Sequence, residues 1–343
     1  MLTLKDLDFT DLLVLPDGAY LKGMPRQGHR LLSVAQELPA FDAQAFAAQC
    51  SNAQCKKLIR LPENEKYDLS VRVTFDEVSF RATPIMTAAD GDGELTWIAR
   101  RLPATVPTLK ELKFPPNYTD WLLRPEHTKG LILFLGDQAS GKTWSASALL
   151  AERLALWGGH AITFEDPPEL PLNGRWGKYG HCFQTEFCGD FETKVKSVKN
   201  LGSPNILFVG QIRDKNAAYN TLKLALGAGE TLVIATLHGL DIHSGLENFI
   251  ADAAQIGGTD WSYNTLANVI LAVFHQEISR NIDEDIQMNL RKALLVPFDT
   301  NSAGEQVGEK IRSAIRTKNM KLNELINIQM TKIKNSPKGV IGF

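Results

Sequence analysis

Apolar residues recur along this chain with two different rhythms, and the change of rhythm divides it. Leu12-Leu13-Val14-Leu15, entered through Thr10-Asp11 and stopped by Pro16-Asp17-Gly18, predicts a short strand followed by a turn. After Pro39, Phe41, Ala45 and Ala48 share one face of a helix predicted over Ala40 to Cys50. From Leu69 to Arg81 the period falls to two: Val71, Val73 and Phe75 alternate with Ser70, Arg72 and Thr74, and Val78 and Phe80 resume the series after a turn. That is a hairpin with one wet face. Ala89-Asp90-Gly91-Asp92-Gly93 predicts an exposed turn, and Leu95 to Arg101 a returning strand. Residues 1–102 therefore read as a small α+β domain on an antiparallel sheet.

Pro103, Pro107, Pro115 and Pro116 punctuate a semi-rigid linker, 103–118, with one short helical piece at Leu109 to Leu112. Residues 119–343 follow a different grammar. Short, wholly apolar runs at Leu131–Leu135, Ala161–Phe164, Ile206–Val209, Leu232–Ala235, Val269–Phe274 and Ala293–Val296 alternate with helical stretches, among them Trp144–Leu156, Asn216–Leu226 and Asp241–Ala254. Strands that are apolar on both faces, joined by helices, predict an α/β domain with a mostly parallel, doubly covered sheet. Ligands of such sheets lie at the carboxyl ends of the strands, so the polar residues just after each run are the candidates.

The first run delivers Gly136-Asp137-Gln138-Ala139-Ser140-Gly141-Lys142-Thr143, which fits the phosphate-loop pattern G-x-x-x-x-G-K-[ST] between a strand and a helix. Such a turn makes a nest of backbone N–H groups at a helix N-terminus, suited to a triphosphate. Lys142 would reach the β- and γ-phosphates, and the Thr143 hydroxyl would ligate Mg²⁺. Glu165-Asp166-Pro167-Pro168-Glu169 ends the second run, Gly210-Gln211-Ile212-Arg213-Asp214 the third and Thr236-Leu237-His238 the fourth. Each alone has a plain reading as a cap, an ion pair or a loop histidine; four in succession after a phosphate loop point to one site.

Composition adds limits. The 343 residues, 44% hydrophobic and 22% charged, suit a soluble protein of two domains. A formal net charge of −2 and a pI of about 6.4 supply no global field for nucleic acid or an anionic membrane, and no direct nucleic-acid partner is expected. The first residues, with Asp6 and Asp8, lack the basic start and apolar core of a signal peptide, and no apolar run reaches the ~20 residues of a membrane span. Cys50, Cys55, Cys182 and Cys188 form no C-x-x-C pair, and His181 beside Cys182 has poor spacing for zinc, so reduced thiols are expected.

In this order the boxes resemble those of the hexameric type II and type IV secretion and pilus ATPases, within them most the PilT-type retraction motors and their conjugation-associated relatives. Gly136–Thr143 is similar to the family's Walker A box, Glu165–Glu169 to its E-D-P-x-E Asp box, Gly210–Asp214 to its G-E-x-R-D Walker B segment and Thr236–His238 to its T-x-H box. Thr10-Asp11-Leu12, Phe80-Arg81, Arg100-Arg101-Leu102-Pro103, Pro107 to Leu112 and Ile311 to Arg316 extend the likeness over nearly the whole chain, most weakly between Arg26 and Lys66.

The resemblance implies a RecA-like ATPase domain behind a smaller PAS-like α+β domain, with ATP and Mg²⁺ bound in a homo-hexameric ring. It also implies a cytoplasmic protein peripheral at the inner membrane, partnered by a platform protein of a pilus, secretion or conjugation machine. It makes Glu169 the residue that places the attacking water, His238 a sensor of the γ-phosphate, and Arg81 and Arg100 arginines that approach the phosphates. The chain departs from the pattern at Gln211, where the family has glutamate; slow hydrolysis, or an ATP-binding ring subunit that hardly hydrolyses, is the expectation. Thr185, Lys196 and Lys199 stand where relatives carry arginines. The basic, amphipathic stretch from Lys310 to Lys338, with Ile311, Ile315, Leu322, Leu325 and Ile326, either packs on its own domain or docks on a platform.

Overall fold

The computed structural model describes residues 2–25, 27, 30–60, 70–87, 94–186, 191–193, 195, 203–227, 229–279, 287–297, 302–319 and 322–335. The chain divides into two compact units. Met1–Thr105, with Asp166–Pro171 and Glu186–Gly189, makes the first; Val106–Glu165, Leu172–Thr185 and Asp190–Phe343 make the second.

In the first unit the predicted strand is β1 (Asp11–Leu15), and the turn after it leads into two strands the apolar pattern did not reveal, β2 (Gly18–Lys22) and β3 (Leu32–Ser33). After the short α1 (Val34–Glu37) comes α2 (Ala43–Arg60), which starts later and runs ten residues further than the predicted Ala40–Cys50. Its start is set by Asp42, whose carboxylate accepts the Ala45 N–H at 2.9 Å. Its length was hidden because the inward stripe Phe46, Cys50, Ala53 ends on a lysine, the buried Lys57, where an apolar residue would have continued the period. The hairpin is β4 (Val71–Phe75) and β5 (Val78–Thr87), joined through Asp76 and Glu77, both at positive φ as a two-residue primed turn requires. β6 (Glu94–Arg101) completes a six-stranded sheet in the order β3-β2-β1-β6-β5-β4. The predicted turn at 89–93 lies outside the described residues. One face of the sheet buries Leu12, Leu21, Val73, Phe80 and Trp97 against Phe46 of α2, with Phe46 and Phe80 edge to face at 5.4 Å.

The second unit begins where prolines predicted a linker. Thr108 to Phe114 forms hydrogen-bonded turns rather than a helix, with Leu112 N–H on Thr108 O at 3.0 Å. A real helix follows, α3 (Pro116–Leu122), with a proline in its first turn, where the missing N–H costs nothing. Arg153, a buried side chain of the helix α4 (Lys142–Trp157), then donates to three main-chain carbonyls: Leu122 at 2.6 Å, Arg124 at 3.0 Å and His127 at 2.8 Å.

The remaining strands are β7 (Gly130–Gly136), β8 (Gly159–Glu165), β9 (Gly174–Trp176), β10 (Gly180–Glu186), β11 (Ile206–Ile212), β12 (Leu232–His238), β13 (Ile270–Ser279) and β14 (Gln287–Leu295). They form one sheet ordered β14-β13-β7-β12-β11-β8-β10-β9. β13, β7, β12, β11 and β8 are parallel neighbours, as predicted; β14 and β9 are antiparallel to β13 and β10. The hairpin β9–β10 escaped prediction because its strands are short and mostly polar. Between the strands run α5 (Lys215–Gly227), α6 (Ile242–Gly257) and α7 (Thr259–Val269). Ile132, Phe134, Phe208 and Ile234 meet α4 on one face. On the other, Gly245 of α6 lies so close to Leu135 that a Cβ would stand 2.9 Å from its methyl carbon.

The C-terminal amphipathic stretch is two helices, α8 (Ser302–Arg316) and α9 (Asn323–Asn335). Ile311, Ile315, Leu322 and Ile326 are fully buried in the second unit, so the apolar stripe is used for packing there and is not a free docking face.

Candidate functional site

The geometry of the Gly136–Thr143 loop follows from its residues. Gly136 takes φ 148° at the end of β7, Ala139 φ 61°, and Gly141 φ 85° as the residue before α4. This alternation into the left-handed region turns successive N–H groups toward one side, the nest expected for an anion. A Cβ on Gly136 would lie 2.3 Å from the Gln276 carbonyl oxygen and 2.5 Å from Ser140 Oγ, so only glycine fits. Asp137, Gln138 and Ala139 are exposed at the tip, Ser140 is buried, and Thr143 is half-buried in the first turn of α4. Lys142 is 7% exposed, and its Nζ donates to the carbonyls of Gly136 at 2.9 Å and Asp137 at 2.5 Å. The loop thus concentrates an ammonium and a helix N-terminus in one place, a cradle that fits a polyphosphate with a Mg²⁺ ion.

The strand order places the other candidates beside it. β7, β12, β11 and β8 are consecutive in the sheet and parallel, so four of the sequence-predicted strand ends lie side by side on one edge. His238 is the ladder partner of Gly136. Its imidazole is held below its ordinary pKa, first by partial burial and next by the Lys142 ammonium, while a hydrogen bond with the Gly136 backbone acts in the opposite sense. Neutral at physiological pH, it can offer a donor or an acceptor to a neighbouring oxygen. Thr236, buried, donates its hydroxyl to the Gly210 carbonyl and so ties β12 to β11 at the level of Gln211.

Gln211 accepts from Arg213 Nε at 3.0 Å through Oε1. Asp214, for which the plain reading was an ion pair with Arg213, caps α5: its carboxylate accepts the Ala217 N–H at 2.9 Å. Gly210 is required where it stands, since a Cβ would meet Glu165 Cγ at 2.9 Å. Glu165 itself is buried, and Gln184 donates to it at 2.8 Å. Thr185, at an arginine position of the family pattern, is bound through its N–H to Thr163 Oγ1 at 3.1 Å. Lys196 and Lys199 lie outside the described residues.

The rest of the Asp-box segment clusters with the first unit, and there it is held by side chains. Asp166 pairs with Lys57 at 2.9 Å, and the same ammonium donates to the Ser70 carbonyl. Glu169 pairs with Arg81 at 3.2 Å. Arg100 is bound to Asp11 at 3.1 Å. Arg72, Arg81, Arg100, Asp11 and Lys22 are successive cross-strand partners on β4, β5, β6, β1 and β2, one row of charge across the sheet.

Three contributors escaped the sequence reading: Lys57, Gln184 and Gln276, whose side-chain amide, fully buried on β13, donates to the Ser140 carbonyl at 2.9 Å. Gln276 had a signal, since His275-Gln276 are the polar residues directly after the apolar run on the fifth strand. Lys57 and Gln184 had none.

The family model described as type II/IV secretion system protein matches residues 51–334. The type IV pilus ATPase PilU of Pseudomonas aeruginosa is 29% identical over 160 residues, 45% of this chain and 38% of that protein. The chain spans about half the length, or less, of the curated relatives it matches. Among solved structures, the Legionella pneumophila ATPase DotB superposes with a TM-score of 0.70 at 18% identity, covering 94% of this chain and 85% of that one. The pilus retraction motor PilT with bound ADP gives 0.70 at 20%, covering 95% and 87%. At such identity the likeness establishes the fold, and the α/β expectation is met.

Proposed function

The chain belongs to the type II/IV secretion system protein family, and from that premise we propose that it is a nucleotide-driven motor subunit, binding ATP at Gly136–Thr143 and hydrolysing it. The observation that carries this is the row of strand ends beside the loop: Gly136, His238, Gln211 and Glu165 on four consecutive parallel strands, with Lys142 at the start of the helix the loop leads into. Phosphoryl transfer asks a protein to place charge and water rather than to form bonds, and this edge supplies both kinds of group.

In this reading the N–H groups of Asp137, Gln138, Ala139, Ser140 and Gly141 hold the phosphates, and Lys142 exchanges its loop carbonyls for phosphate oxygens. Thr143, with Gln211 nearby in the sheet order, would hold Mg²⁺, which when bound neutralises charge on the phosphate oxygens. Glu169 orients and deprotonates water, neutral His238 hydrogen-bonds to the terminal phosphate, and Arg81 and Arg100 supply positive charge. Gln211 retains hydrogen-bonding capacity without the charge of a glutamate, which lowers turnover but leaves it measurable. The working assembly is a homo-hexameric ring, peripheral at the inner membrane on a platform protein, powering a type IV pilus or a related secretion or conjugation machine. Among the described residues no helix is long and apolar enough to cross a membrane.

Gln211, paired to Arg213, favours one alternative: a ring subunit that binds ATP and hardly hydrolyses it. Steady-state phosphate release by the assembled protein, against Lys142→Ala and Glu169→Ala, separates the two. A rate above both variants supports the motor; a rate equal to theirs, with nucleotide still bound, supports the alternative.

A further inference from the structure

A phosphate nest works because successive N–H groups converge on the ligand; the carbonyls of the same peptides then diverge into the protein, and each buried one needs a donor. In this loop the work is divided between two side chains of opposite character. Lys142 Nζ serves the carbonyls of Gly136 and Asp137. Its charge and long stem make it the group a phosphate draws away. The Ser140 carbonyl is served instead by Gln276 Nε2 at 2.9 Å, from a side chain that is fully buried and brought in from 136 residues along the chain. Gln276 also meets the other end of the loop, because its own carbonyl oxygen stands where a Cβ on Gly136 would be. The backbone explains how one residue reaches both. β13 pairs with β7 up to His275 opposite Leu135, and the β13–β14 register shifts between His275 and Gln276, so Gln276 stays paired with β14 but is past the β7 ladder, level with Gly136.

We infer that Gln276 is a positioning residue of the phosphate loop: its amide holds the Ser140 carbonyl toward the interior, so that the loop keeps its binding shape when Lys142 moves onto the ligand. The inference rests on the nucleotide-binding reading above. The requirement is for a donor. Glutamine meets it, leucine of similar volume does not, and glutamate meets it only while protonated.

The test is the dissociation constant for a fluorescent ADP with Mg²⁺, measured on the full chain as wild type, Gln276→Leu, Gln276→Glu and Lys142→Ala, at pH 5.5, 7 and 8.5. Gln276→Leu should bind about tenfold more weakly or worse, the effect of a stranded buried carbonyl. Gln276→Glu should lose affinity as pH rises through its carboxyl titration, beyond any change in the wild type. That profile is read within one folded variant, which a purely structural role would not move, and it decides the matter if Gln276→Leu does not fold. Wild-type affinity in Gln276→Leu, or a Gln276→Glu profile parallel to the wild type, overturns the inference alone. Absence of binding by the wild type overturns the nucleotide reading and this inference with it.

Discussion

The two units hold their charged groups by different means. In the second, position comes from the main chain: Lys142 is 7% exposed, gripped by loop carbonyls, and His238 is fixed opposite Gly136 by a parallel ladder. In the first, the Arg81–Glu169 pair is side chain meeting side chain, and the two keep 27% and 36% of their side-chain surface in water. A group set by buried backbone is in place before a ligand arrives, whereas a half-wet ion pair is worth under ~1 kcal/mol and is easily exchanged for another partner. The loop has the properties of a socket, and the Arg81–Glu169 pair those of a latch.

The contrast can be broken in several places. Lys142→Ala should lower phosphate release about 10²- to 10³-fold, since it removes the one cation built into the loop. Glu169→Gln should reduce kcat by about 10² or more while leaving nucleotide affinity nearly as it was, a split that marks a group acting on water rather than on binding. Equal losses in affinity and kcat would instead make Glu169 part of the socket.

Stability against pH probes the buried side of the comparison. Burial, with Arg153 and Arg124 nearby, pushes the His127 imidazole down to about 3. The unfolded chain would protonate it near its ordinary pKa of about 6.5, so the stability it carries is complete above that pH and is lost as pH falls toward 3. Urea midpoints should therefore show a loss of about 2 to 3 kcal/mol between pH 6.5 and 4.5 from this group. NMR titration of its ring should find it neutral throughout that range.

Smaller effects sharpen the picture. Gln211→Glu should raise turnover several-fold, on the order of the gain from returning a charge to an ordered metal shell; an unchanged or lower rate would count against that role. Arg81→Ala should change unfolding free energy by less than ~1 kcal/mol while still depressing turnover. A larger stability loss would show the latch to be a structural strut.

What the sequence disclosed, and what it hid, divides along the same line. Main-chain features are written in local pattern: the apolar runs gave β7, β8, β11 and β12, and the glycines and Lys142 gave the loop. Side-chain partnerships across distance left little trace. Lys57 broke the apolar period of α2, so the helix was read as ending at Cys50, yet that lysine is the partner of Asp166. The prolines before α3 were read as a linker because proline opens a helix as readily as it interrupts one. Gln276 stood at a strand end, where chemistry was expected, but nothing local told that its amide would face a loop 136 residues away.

The grip of Arg153 on the carbonyls of Leu122, Arg124 and His127 bears on how this stretch meets a protease. A scissile peptide must extend into a protease cleft with its carbonyl free, and the carbonyl of Leu122 is tied to a helix inside the second unit. Chymotrypsin should accordingly spare the Leu122–Leu123 bond until the unit unfolds, although Pro125 and Glu126 close by lie open to water.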